Sequence, residues 1–456
     1  MKLDKKKFKK TRLTQETKNQ ESPLLPKTER EIQEFNGASF LGAVFNLSTT
    51  IIGAGIMALP ATMKVLGLGL GTGMILLVAV LTERSIEILL RYSKAGKVDS
   101  YGGVMGDAFG NGGKRLLQVF VSLNNLGILI VYMIIIGDVL SGTSSSGVHH
   151  AGLLEEWFGD QWWNGRTFVV LFVTLAIFAP LASFKRIDSL RYTSVLAIAL
   201  AVVFLVITAA ITVFKLVNGS VSMPRLLPNV SDITSFWNLF TVVPVLVTAF
   251  ICHFNVQTIQ NELQDSAMIQ PVVWTSLALC STVYIMTSVF GFLLFGNSTL
   301  DDVLANFDTN LGVPYSYILS DIIRISYALH LMLVFPIVFY PLRMNLDGLL
   351  FPSARPLVSD NWRFTLLSMA VISLIFLGAN FIPNIWIAFQ FTGATSAVCI
   401  GFIFPAAIAL RDSHLVATKK DKVMSGLMIF LALFSSLIAI YSDAYALLRT
   451  NASPSE

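Results

Sequence analysis

Of the 456 residues, 54% are hydrophobic and 13% charged, with 32 Lys and Arg against 28 Asp and Glu. An average soluble domain carries roughly a quarter charged residues, so this balance excludes a soluble enzyme, a disordered chain and a nucleic-acid binder of ordinary type. The apolar excess runs through nearly the whole length, which also excludes a single-pass receptor and predicts a helical membrane protein of many spans.

In chain order, residues 1–37 form a polar, lysine-rich arm. No short apolar core with a small-residue cleavage site follows it, so no cleaved secretory leader is expected. Lys5, Lys6, Lys7, Lys9 and Lys10 either set topology or touch anionic lipid, at ~1 kcal/mol each near the surface. Glu21-Ser22-Pro23-Leu24-Leu25 is similar to an acidic dileucine sorting signal, with its spacing short by one residue. Eleven stretches then supply the ~20 apolar residues that a spanning helix needs. The expected spans are Ala38–Met63, Leu68–Tyr92, Leu116–Leu140, Thr167–Phe184, Leu190–Leu216, Trp237–Glu262, Pro271–Phe295, Tyr315–Leu342, Phe364–Phe381, Asn384–Arg411 and Val423–Leu448. Residues 449–456 are left as a short tail.

Lys and Arg favour the cytoplasmic loops of membrane proteins. With the N-terminus in the cytoplasm, 25 of the 32 lie on that side and five on the other, with Arg84 and Arg324 inside spans. An odd number of spans then puts the C-terminus on the luminal or extracellular side. Glycosylation sequons at Asn218, Asn229 and Asn297 all fall in loops assigned to that outer side. Asn46 also begins a sequon but lies inside the first span. Cys252, Cys280 and Cys399 sit in apolar runs, so neither a disulfide framework nor a metal site is expected. His149-His150 reads as plain loop. No cofactor is expected, and the sequence sets no oligomeric state.

Two spans contain sequence that opposes a continuous helix. The first reads Phe45-Asn46-Leu47-Ser48-Thr49-Thr50-Ile51-Ile52-Gly53-Ala54-Gly55-Ile56 and reaches Pro60. Each glycine costs a helix on the order of 1 kcal/mol, and unwound backbone at membrane depth is tolerated only where it lines a cavity or is buried in protein. A half-helix starting after Gly55 would aim its positive end at that cavity. The same small residues also serve close helix packing. The sixth span carries Phe250-Ile251-Cys252-His253-Phe254-Asn255-Val256-Gln257, polar groups that are costly in lipid. Polar-broken helices in corresponding positions of two halves point to an inverted-repeat transporter with a midplane site.

Other polar groups at depth are Asn124-Asn125, Asp138, Glu83 and Glu87 flanking Arg84, and Asp321 with Arg324. Asp138 reads as solvated, the Glu83 group as a structural ion-pair cluster, and Asp321 and Arg324, three apart on one helix, as a pair. His253 has the intrinsic pKa of a switch near neutral pH; the alternative is a neutral histidine hydrogen-bonded inside the bundle. No nucleophile–base constellation marks an intramembrane enzyme.

At Phe45-Asn46-Leu47-Ser48, Gly53-Ala54-Gly55-Ile56, Ala249-Phe250-Ile251-Cys252-His253 and Pro336-Ile337-Val338-Phe339-Tyr340-Pro341-Leu342-Arg343, the sequence resembles the amino acid/auxin permease superfamily. Within it the likeness is to the branch of sodium-coupled neutral amino acid transporters and, most closely, to plant and fungal vacuolar amino acid transporters. It covers about Ala38 to Leu448. The resemblance implies an all-α LeuT-type fold with helices one and six broken: repeat one at 38–216, repeat two at 237–411 and an extra helix at 423–448. It further implies an amino acid substrate whose carboxylate meets Ile52, Gly53, Ala54, Gly55 and Ile56. The amino group would meet Thr49 and the run Phe250, Ile251, Cys252 and His253. Asn125 and Asn255 are candidate cavity-lining residues, and membrane lipid is the other expected partner.

Asn46 matches the family asparagine that offers an oxygen to sodium. Met332 and Val334 stand where sodium-coupled relatives have Thr. That departure favours proton coupling, with Asn46 the candidate for ion coupling and His253 for proton coupling. The expectation is a proton-coupled amino acid transporter of the vacuolar membrane. The alternatives are a sodium-coupled neutral amino acid importer of the plasma membrane and an amino-acid sensor with little transport.

Overall fold

In a bilayer core the backbone must satisfy its own hydrogen bonds, which limits a spanning chain to helices or closed barrels. The computed structural model describes residues 37–145, 148–221, 223–308, 310–382 and 392–452. The chain divides into Met1–Ala38 and a helical unit, Ser39–Glu456. The lysine arm and the dileucine-like string lie outside the described residues, as does the expected start of the tenth span at Asn384.

The unit opens with α1 (Phe40–Ile51) and α2 (Gly55–Leu66), bent by 55° relative to each other across Ile52–Ala54. Next come α3 (Leu68–Gly96), α4 (Tyr101–Ser141), α5 (Leu153–Phe158), α6 (Arg166–Leu181) and α7 (Arg191–Val217). The second half holds α8 (Ile233–Phe250), α9 (His253–Glu262), α10 (Ile269–Phe295), α11 (Ser316–Leu350), α12 (Asn361–Phe381), α13 (Gly393–Arg411) and α14 (Lys419–Ala452). Among the described residues, eight helical segments are long and apolar enough to cross a membrane, and the bent pair makes a ninth. A short antiparallel hairpin, β1 (Thr143–Ser145) and β2 (Val148–His150), joins α4 to α5 and pairs Thr143 with His150. His149 and His150 are therefore strand residues rather than plain loop.

Local chemistry sets the boundaries. Ser39, Ser100, Asp232 and Asp360 cap the first turns of α1, α4, α8 and α12, each side chain accepting from an amide three residues on. Gly110, at φ +68°, kinks α4 and lets it begin fifteen residues before the apolar run expected from Leu116. Pro341 within α11 has no N–H for the Ile337 carbonyl, and Asn255 Nδ2 of α9 supplies the missing donor at 3.0 Å. α14 continues to Ala452, so residues 449–452 extend the last helix instead of forming a tail.

α11 stands at the centre, packed along α4 and α7, and Phe178 of α6 stacks on its Phe335 with ring centroids 3.9 Å apart. α10 lies along α1, α2 and α7. The outer helices turn Phe172, Val206, Leu366 and Leu437 outward. Exposed large apolar side chains in such number mark a lipid-facing surface.

Two electrostatic expectations are corrected. Asp138 is not solvated but ion-paired with Arg166 at the start of α6. Asp321 and Arg324 do not pair with each other: α5 lies across the end of α11 and offers a better partner to each. Arg324 reaches Glu156 at 2.6 Å and Asp321 accepts from Trp157 Nε1 at 3.0 Å. The Glu83 group forms the structural cluster expected of it. Arg84 pairs with Glu83 at 3.2 Å and Glu87 at 2.8 Å, and Arg91 continues the chain to Asp421 of α14 at 2.9 Å. The sequon residues Asn218, Asn229 and Asn297 are all exposed.

Candidate functional site

α1 ends because Ile52 leaves helical geometry, at φ −75° and ψ 99°, with its N–H turned back to the Ser48 carbonyl at 2.7 Å. The chain re-enters a helix at Gly55, with Ile56 N–H on the Gly53 carbonyl at 3.3 Å. The first amides of α2 thus face the break, as the positive end of a half-helix. Ile52, Gly53, Ala54, Gly55 and Ile56 are all buried.

The two glycines serve two different approaches. A Cβ on Gly53 would collide with the Tyr132 hydroxyl of α4. A Cβ on Gly55 would sit 2.9 Å from the Ala249 Cα of α8. Both readings of the Gly-Ala-Gly run therefore apply: the helix breaks there, and the broken segment packs backbone to backbone on its counterpart.

The second interruption is shorter. α8 ends at Phe250, Ile251 takes φ −68° and ψ 116°, Cys252 takes φ −143° and ψ 0°, and α9 begins at His253. His253 Nε2 lies 2.9 Å from Ser85 Oγ of α3, and that hydroxyl donates to the Gly401 carbonyl of α13. A hydroxyl has one proton, so Nε2 must be the donor to it. His253 Nε2 then carries a proton, and its buried Nδ1 has no hydrogen-bond partner among the described residues.

Phenols satisfy the exposed carbonyls of both breaks. Tyr327 Oη of α11 donates to the Gly53 carbonyl at 2.7 Å. Tyr284 Oη of α10 contacts the Ile51 carbonyl at 2.5 Å and the Ala249 carbonyl at 2.7 Å. With Tyr132 these residues ring the crossing point of the breaks, and sequence reasoning missed all three. The signal was present: a phenol inside an aliphatic run such as Ile130-Val131-Tyr132-Met133 needs a hydrogen-bond partner at depth.

The remaining candidates are placed differently. Thr49 lies within α1 and its hydroxyl donates to the Ser194 carbonyl of α7 at 3.2 Å, away from the break. Asn255 ties α9 to the Thr50 hydroxyl at 3.0 Å as well as to Ile337, so it is cross-linked between helices. Asn125 accepts from Asn124 at 3.0 Å, and both are fully buried. Asn46 Nδ2 donates to the Ile187 carbonyl at 3.2 Å, while its Oδ1 is buried without a partner. Met332 and Val334 are buried on α11.

A family model for transmembrane amino acid transporter proteins matches residues 36–448. The chain belongs to that family. It is 68% identical over 434 residues to the amino acid transporter AVT6A of Arabidopsis thaliana, covering 94% of both chains. It is 45% identical to AVT6C of the same plant, covering 93% of this chain and 98% of that one. The family, in the amino acid/auxin permease superfamily, consists of transporters and not enzymes, and this member is a multi-pass integral membrane protein. Among solved structures, a manganese transporter of Eremococcus coleocola superposes with TM-score 0.56 at 12% identity, covering 91% of this chain and 88% of that one. MhsT in complex with L-phenylalanine superposes with TM-score 0.55 at 13% identity, covering 88% and 98%. These neighbours give the family member a LeuT-like fold.

Proposed function

We propose that this chain carries amino acids across the vacuolar membrane by alternating access, driven by protons. The observation that carries the reading is the crossing of two interrupted helices at Gly55 and Ala249, buried inside the bundle. Unwound backbone at that depth supplies amides for a carboxylate and carbonyls for an ammonium group, which suits a zwitterion. The positive start of α2 at Gly55 faces the carboxylate. The site holds no lysine or arginine, so small neutral amino acids are the substrate class.

The eight long helices and the bent pair, with Leu68–Gly96 and the shorter apolar Arg166–Leu181, give eleven spans. They arrange as five plus five with α14 outside, N-terminus cytoplasmic and C-terminus luminal. The lysine and arginine bias and the exposure of Asn218, Asn229 and Asn297 support that orientation. Vacuolar placement rests on the resemblance to vacuolar members.

Proton coupling rests on Met332 and Val334, which offer no side-chain oxygen where sodium-coupled relatives have Thr. His253, with its unpartnered Nδ1, is the proton carrier in this reading. Asn46 Oδ1, buried and unpartnered, favours sodium coupling as the second reading. Flux of labelled amino acids into proteoliposomes separates them. Uptake driven by a pH gradient, indifferent to sodium and slowed in His253→Ala is the expected result. Sodium-driven uptake abolished in Asn46→Ala would establish the second reading, and absence of saturable flux would favour a sensor.

A further inference from the structure

One face of α10 is a ladder of donors to α1. Ser276 Oγ donates to the Val44 carbonyl at 3.2 Å, Cys280 Sγ to Ser48 at 3.8 Å and Tyr284 Oη to Ile51 at 2.5 Å. The three donors are four residues apart, one above another on the helix. Tyr284 differs from the other two because its hydroxyl also contacts the Ala249 carbonyl at 2.7 Å. One proton therefore serves two acceptors on two different helices.

Those acceptors are of a particular kind. Ile51 is the last residue of α1 and Ala249 the last but one of α8. Both carbonyls belong to helix ends that lack intrahelical partners, at the negative poles of two half-helices. Two negative helix ends converging on one point suit a monovalent cation, and such carbonyls bind sodium in transporters with broken helices. Here the point is filled from the side by a phenol. Its ring packs edge-on against Phe250 with centroids 5.1 Å apart, and the Gly55–Ala249 contact lies beside it.

We propose that the Tyr284 hydroxyl occupies a monovalent-cation position between the two breaks and joins them without a bound ion. The phenol is tethered to α10, so it cannot dissociate as an ion does, and the junction of α1 with α8 does not depend on cation concentration. This position is separate from the one at Met332 and Val334. The inference deepens, and rests on, the reading of the chain as a transporter without sodium coupling.

The test compares wild type, Tyr284→Phe and Tyr284→Asn as full-length protein. Amino acid flux in proteoliposomes and melting temperature in detergent are each measured in sodium chloride and in choline chloride. Wild type should be indifferent to the exchange in both assays. Tyr284→Phe, which keeps the ring and loses the donor, should melt lower and transport roughly tenfold more slowly in either salt. Tyr284→Asn, which offers an oxygen and leaves space, should melt higher and transport faster in sodium. Tyr284→Phe behaving as wild type in both assays overturns the proposal, and so does Tyr284→Asn folding with no sodium response. If Tyr284→Asn does not fold, the Tyr284→Phe result decides alone. A wild type that transports nothing overturns the functional reading, while the melting comparison still judges the hydroxyl.

Discussion

The two interruptions do the same thing to the backbone by opposite means. Between α1 and α2 the chain is small and featureless, and larger neighbours fill the space that Gly53 and Gly55 leave. Between α8 and α9 the chain has no glycine; it carries its own polar group, His253, which reaches out to α3 and α13 through Ser85. The first break is shaped from outside and the second from within. Substitutions at the first should therefore fail by collision, and at the second by loss of a specific bond.

The largest effect is expected from Gly55→Leu. Its side chain would start 2.9 Å from the Ala249 backbone, which cannot move aside, so no monodisperse protein should be recovered on size-exclusion chromatography. The matched change at the other break, Cys252→Ala, should leave both yield and flux within about twofold, because only the thiol is lost. Gly53→Ala comes next, meeting a side-chain terminus instead of backbone. Flux should fall by roughly two orders of magnitude, equivalent to about 3 kcal/mol, and Tyr132→Phe in the same chain should recover part of it.

His253→Ala removes the bond that anchors the second break. Flux should drop about tenfold, the cost of one buried hydrogen bond, and its dependence on external pH should flatten. Asn255→Leu leaves the Ile337 carbonyl without its donor. It should lower stability by about 1–3 kcal/mol, read as a fall in melting temperature with flux per folded molecule preserved.

A further effect is one of pH. On the connection between α10 and α11, burial holds the Asp302 carboxyl up to about 7; Asp138 and Asp301 add to the rise and the Leu304 amide opposes it. An unfolded aspartate titrates near 4, so between these values the folded state holds a proton that the unfolded state lacks. Stability from this group is complete below pH ~4 and is lost as pH rises through ~7. Melting temperature should decline over that window in wild type and decline less in Asp302→Asn.

Composition alone made the membrane reading legible, because apolar residues in lipid-length runs permit little else. The place of the first break was legible in Gly53-Ala54-Gly55, since glycine disfavours helix whatever its neighbours. That of the second was legible in His253 and Asn255, whose polarity is costly without partners. The partners themselves were not legible. Tyr132, Tyr284 and Tyr327 reach the breaks from other spans, buried on most sides, where periodicity gives little bearing on which neighbour a side chain meets. Asp321 and Arg324 misled for a related reason: spacing shows which groups can meet on one helix, not which partner an adjoining helix offers.

Arg343 is fully buried on α11, and its guanidinium donates to the Ala182 carbonyl at 2.5 Å and the Phe184 carbonyl at 2.9 Å, with the Phe364 ring 3.9 Å away. Those carbonyls follow the end of α6, 161 and 159 residues earlier in the chain. At synthesis rates of about 5–20 residues per second, the end of α6 leaves the ribosome roughly 8–30 seconds before its partner exists. During that interval the first half of the protein is inserted but unfinished. Its capping donor arrives only with the second half, so assembly of the two halves is written into the order of translation.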